Sequence, residues 1–200
     1  MEEVPWFEYD KDDLNVAQRV FVDVLAERAS SWLVDPLDTV VVPPANDSGR
    51  ELIVWLDIVD AQRNQGILTV GAHFSGSGIH ADKLQNQHFS LPEKATEFTF
   101  TAAGNATELA ERTGAWFEAI LARPLVRCEW QHGGRTYAVR YEFADTGRGL
   151  VEGFEEALAP RRLRERLAAE GIVRGRGRIN RADLGEPDLT TPIRGSHPDQ

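Results

Sequence analysis

The chain has 200 residues, 42% of them hydrophobic, with 32 acids against 22 Lys and Arg, a formal net charge of −10 and one cysteine. That apolar share suffices for a buried core, while a lone cysteine excludes an internal disulfide framework and a cysteine-cluster zinc site. No apolar run reaches the ~20 residues of a spanning helix, and Met1-Glu2-Glu3 is the reverse of a basic leader, so a cytoplasmic protein without a membrane partner is expected.

The opening segment, residues 1–13, reads as an acidic-aromatic arm: six acids, one opposing Lys11, and Trp6, Phe7 and Tyr9 after Pro5. Asp12 or Asp13 then caps a first helix. Leu14, Ala17, Val20, Phe21, Val24, Leu25, Arg28 and Trp32 recur on its buried stripe at three-and-four spacing, until Pro36. "TVVV", "ELIVWLDIV" and "GILTVGAHF" are rich in β-branched residues and predict strands. "VPPANDSGR" and "DAQRNQG" are the turns between them. Residues 75–95 read as a loop, and "TEFTFT" as a further strand with Phe98 and Phe100 inward.

Asn105 with Glu108 has capping-box form and opens a second helix whose apolar face holds Leu109, Trp116, Phe117, Ile120 and Leu121, ending before Pro124. Two alternating runs flank Gly133-Gly134 and predict a hairpin in which Trp130 faces Tyr137, Cys128 faces Val139 and Val126 faces Tyr141. Arg127, Glu129, Gln131, Arg140 and Glu142 then form a wet opposite face. A third helix is expected from about Glu152 to Glu170, interrupted at Pro160, with Leu158, Leu163 and Leu167 inward. "GIVRGRGRI" is compatible with an edge strand, and Gly185 onward reads as mobile. The expected architecture is α+β: a two-layer domain over 14–172, a mostly antiparallel sheet of five to six strands with helices on one face, and an Arg/Gly/Pro-rich polar tail over 173–200.

Each chemically suggestive spot has a plainer explanation. Gly76-x-Gly78-x-x-Ala81 follows a strand, but the polar "DKLQNQHFSLPEK" is no helix for a pyrophosphate, and no dinucleotide cofactor is expected. His73, His80, Asp82 and His88 are the candidate metal ligands by residue type, although their spacing matches no ligand motif. Cys128 falls on the apolar hairpin face, where a thiol acts as a small hydrophobe. Asp57 with Asp60 and Glu155 with Glu156 are carboxylate pairs in a chain full of acids and receive no catalytic role. The Arg174–Arg178 run lacks the interleaved aromatics that stacking on nucleic acid needs.

Charge is uneven: residues 1–160 sum to −13, residues 161–181 to +6 and residues 182–200 to −3. In layout and charge, over roughly residues 12–170, the chain resembles the small acidic chaperones of bacterial secretion systems and the immunity proteins that neutralise toxins. The resemblance implies a non-enzymatic protein that binds a basic toxin or secreted effector. Glu2, Glu3, Trp6, Phe7, Glu8 and Tyr9 have the composition of the interface, the rings supplying contact and the carboxylates steering. The competing expectation is a small-molecule or metal-binding enzyme with its site under the 75–95 loop. A homodimer joined at a sheet edge is the third.

Overall fold

The computed structural model describes residues 4–44, 51–85, 89–169 and 184–195. The chain falls into two compact units, Met1–Leu121 and Ala122–Gln200. Among the described residues nine strands, all antiparallel, form a five-stranded and a four-stranded sheet, and with three helices the fold is α+β.

In the first unit, helix α1 runs Val16–Ala29. Its cap is Asn15, not Asp12 or Asp13: Asn15 Oδ1 accepts the Gln18 amide at 3.0 Å and Gln18 Oε1 accepts the Asn15 amide at 3.0 Å. This reciprocal pair satisfies two amides that a helix start leaves orphaned. Asp12 and Asp13 lie instead in a short 3-10 turn capped by Asp10. The buried stripe holds Phe21, Val22, Leu25 and Ala29, while Val20 stays exposed.

Strands β1 (Thr39–Val42), β2 (Leu52–Asp60), β3 (Gln65–Phe74), β4 (Gly78–Lys83) and β5 (Phe100–Ala103) pair in sequence order. Pairing of Leu52 with Phe74, Val54 with Ala72, Ala72 with Ala81 and Phe74 with Ile79 places these residues on one buried face. Phe21 of α1 stacks on Phe74 there, with ring centroids 4.5 Å apart. The other face carries Ile53, Trp55, Asp57, Thr69, Gly71, His73, His80 and Asp82. Helix α2, Ala106–Leu121, packs beside α1. Its expected cap holds, with the Glu108 amide on Asn105 Oδ1 at 3.0 Å and the Asn105 amide on Glu108 Oε2 at 3.2 Å. The 75–95 loop is shorter than expected because it contains β4, which buries only Ile79, Ala81 and Asp82 and so has little apolar signal.

The second unit has strands β6 (Leu125–His132), β7 (Arg135–Phe143), β8 (Arg148–Phe154) and β9 (Leu189–Arg194), ordered β8-β7-β6-β9, and helix α3 (Arg161–Ala169). Gly133 and Gly134 take φ of 58° and 76°, the left-handed pair of a primed hairpin turn. Beyond the turn the register departs from expectation. A bulge between Trp130 and Gln131 pairs Trp130 with Ala138, Cys128 with Arg140 and Val126 with Glu142. One extra residue in a strand exchanges its faces. Arg140 and Glu142 thus join the side of Cys128, and three charges expected to be wet are buried: Arg127, Glu129 and Glu142 are all under a tenth exposed. They are held as ion pairs, Arg127 to Glu129 at 3.3 Å and Arg140 to Glu142 at 2.9 Å, with Cys128 Sγ 3.7 Å from Glu142.

Val126, Cys128, Trp130, Tyr137, Ala138 and Ala159 form this unit's core. Residues 152–154, expected at the start of a helix, close strand β8, whose Val151 and Phe154 suit an extended edge, and helix α3 begins only after Pro160. The segment from Gly185, expected to be mobile, contributes β9 beside β6. The "GIVRGRGRI" segment lies outside the described residues.

Candidate functional site

The acidic-aromatic arm folds onto the first unit. Phe7 is fully buried and reaches its place through a left-handed turn, φ 49°, a conformation that costs a bulky residue energy and needs compensation. The compensation is visible. The Phe7 amide donates to Thr39 Oγ1 at 2.9 Å, whose hydroxyl donates to the Pro36 carbonyl at 2.6 Å. The Phe7 ring sits 6.2 Å from both Trp32 and Phe117, and Trp6 meets Trp32 edge-on at 6.3 Å. Phe7 is therefore a core anchor, while Glu8 is exposed and Trp6 half-buried. Glu2 and Glu3 lie outside the described residues. Tyr9 donates its hydroxyl to Asp23 at 2.7 Å, and burial together with that bond pushes its pKa up to about 12.

Beneath the arm, charge fixes Trp32. Its Nε1 donates to Glu118 at 3.0 Å, and Glu118 takes a bidentate bond from Arg28 with both contacts at 2.6 Å. Arg28 also reaches Glu111 at 2.5 Å. The guanidinium holds the Glu118 carboxyl below its ordinary range, against the opposing effect of burial. Gly114 makes room for this crossing, since a Cβ there would stand 2.4 Å from Arg28 Cδ. The result is a rigid floor for the segment after α1.

That segment carries the residues the sequence reading missed. Leu33 is 98% exposed and Leu37 71% exposed, one adjoining Trp32 in the chain and the other adjoining Pro36. Val4 is exposed as well and Trp6 is half-buried against Trp32; residues 4–13 and 33–38 carry Glu8, Asp10, Asp12, Asp13, Asp35 and Asp38, and Lys11 is their only Lys or Arg. Leucines after a helical stripe look like more core. The available signal was their alternation with Asp35 and Asp38, which a covered segment would not tolerate.

The histidine neighbourhood is built differently. His73 and His80 are direct cross-strand partners. His73 is engaged on both nitrogens, Nε2 at 3.0 Å from the Phe89 carbonyl and Nδ1 at 3.4 Å from Glu51, while His80 is exposed. Asp82 sits opposite Gly71 and organises residues 96–99: it accepts the Lys83 amide at 2.6 Å, the Thr96 amide at 3.1 Å and the Thr96 and Thr99 hydroxyls. Burial alone raises its pKa, but these bonds outweigh burial and hold it below the ordinary value. His88 lies outside the described residues. Among the described residues no group of three or more His, Cys, Asp or Glu is placed to hold a metal.

Leu84 and Phe89 lie against the His73 face of the sheet. Phe89 stacks on Trp55 at 4.1 Å, and a Cβ on Gly71 would stand 2.6 Å from Leu84. The Gly76–Gly78 segment is the tight connection of an antiparallel hairpin, closed by the Ser75 amide on the Gly78 carbonyl at 3.0 Å. Asp57 accepts from Trp55 Nε1 and the Thr69 hydroxyl, and Asp60 accepts the Gln62 amide. Cys128 is buried, and the Arg174–Arg178 run lies outside the described residues. No described helix is long and apolar enough to cross a membrane. No family model, curated protein or solved structure matches the chain.

Proposed function

We propose that this chain is a non-enzymatic protein that binds another protein, in the manner of an immunity protein or a chaperone, and that it does so through the apolar-acidic surface of its first unit. The observation that carries the reading is the exposure of Leu33 (98%) and Leu37 (71%), in a segment that with residues 4–13 holds six acids and one lysine. Large apolar side chains presented on a braced floor offer little to solubility and much to a partner. The acids set the partner's chemistry: a basic segment with an apolar side chain that seats between Trp6 and the leucines, steered by field and held by burial.

The test is association of the purified chain with a fluorescent peptide of alternating Arg or Lys and Leu or Phe, alongside an acidic counterpart. The basic peptide binds, with an on-rate that falls as salt rises over the range where the Debye length shrinks below ~10 Å. Leu33→Asp with Leu37→Asp weakens it about tenfold or more at unchanged thermal stability. Equal binding of both peptides, or an unchanged affinity in the double variant, would remove this surface from the account.

A further inference from the structure

We propose that the outer edge of β6 is a strand-addition site for an extended segment of a partner protein, and that residues 184–195 are its intramolecular occupant. The two strands that meet there are unlike. β6 buries six of its eight residues, Leu125 to Trp130. β9 buries none of its six, and Leu189 is 46% exposed. β9 is thus lightly buried, and lifting it chiefly uncovers a row of backbone donors and acceptors on a strand otherwise built into a core. An uncovered edge of that kind accepts another extended chain, with main-chain bonds giving affinity and side-chain positions giving selectivity.

The hold on β9 is local and legible. Asp188 Oδ2 accepts the Gln131 amide at 2.6 Å, and the Asp188 amide donates to the Glu129 carbonyl at 2.9 Å. One residue thus closes the ladder where β6 runs into its hairpin. Trp130 Nε1 donates to the Gly185 carbonyl at 3.1 Å and Leu184 packs against the core cluster. At the other end Gly195, with φ 74°, lies so close that a Cβ would stand 2.9 Å from Pro124 Cα. Pro192 lacks a ladder donor, as suits an outermost strand. These features define the ligand: an extended segment with an acidic residue at the Gln131 amide, then small or β-branched residues, and no bulky side chain at the Pro124 end. The site is separate from the apolar-acidic surface of the first unit.

The experiment uses the full chain and a fluorescent peptide of residues 184–195. A tethered strand competes at an effective concentration of order mM, so the wild-type chain leaves the peptide unbound at about 100 μM. Full-length Asp188→Ala weakens only the tethered copy, and the peptide then binds at least ~10-fold more tightly, as loss of one charge-assisted bond implies. Full-length Gly195→Ala, which pushes the other end away from Pro124, gives a gain in the same direction. A peptide carrying its own Asp-to-Ala change loses that binding. No gain in either variant overturns the proposal. A gain that excludes the peptide and appears instead as a dimer in light scattering assigns the edge to a second copy and overturns the partner reading.

Discussion

The two terminal segments of this chain are both polar, both carry proline and glycine or acids in plenty, and are held in opposite ways. Residues 4–13 are fixed by one buried ring: Phe7 accepts an unfavourable backbone turn to reach the Trp32 and Phe117 rings. Residues 184–195 bury no side chain along β9 and hold by a backbone ladder closed by Asp188, with Leu184 against the core cluster and the Trp130 indole on the Gly185 carbonyl. A ladder bond is worth ~0.5–1.5 kcal/mol net because water competes for it, whereas a buried aromatic is worth several. In the reading proposed above, the first segment borders the partner surface and the second is a cover that lifts.

The largest expected effect follows from that anchor. Phe7→Ala lowers the stability of the chain by about 3–5 kcal/mol in urea unfolding, and it frees Tyr9 from Asp23, so that the tyrosine titrates near 10 rather than at about 12. A loss below 1 kcal/mol would mean that the ring is dispensable and the arm no firmer than the tail.

Asp82 is an intermediate case, a segment held by hydrogen bonds to a buried group. Asp82→Asn costs about 1–3 kcal/mol at neutral pH. The sign with pH follows from its depressed pKa: the carboxylate's contribution is complete above the unfolded value of 3.8 and is lost as pH falls through the lower folded value. The Asn variant should therefore lack the part of the acid limb below pH ~4 that the wild type shows in pH-dependent unfolding. Asp188→Ala should cost no more than about 1.5 kcal/mol globally, while raising amide exchange across Leu189–Arg194. Tyr9→Phe is the smallest, about 0.5 kcal/mol. The tyrosine's share is complete below pH 10 and is lost as pH climbs through about 12, since its protonated form is the one favoured.

Local chemistry was legible where a residue type carries the geometry. Asn105 with Glu108 and Gly133 with Gly134 announce a cap and a primed turn, and both stand where expected. The bulge at Trp130 was not legible, because it needs no special residue, yet it moved Arg140 and Glu142 to the other face of the hairpin. Strands β4, β8 and β9 were hard to see because each buries few apolar side chains. Of the arm's expected interface residues, Glu8 is exposed and Trp6 half-buried against Trp32. Leu33 and Leu37 were missed, since leucines after a helical stripe read as core and the neighbouring Asp35 and Asp38 were the one sign against it.

Hydrogen exchange on the full chain, resolved by residue and followed in sub-denaturing urea, tests the contrast between the segments most directly. The account predicts that the Phe7 amide exchanges only through unfolding of its unit, with a steep urea dependence, while the β9 amides exchange through a local opening nearly independent of urea. The same slow, urea-dependent exchange at both sites would contradict it.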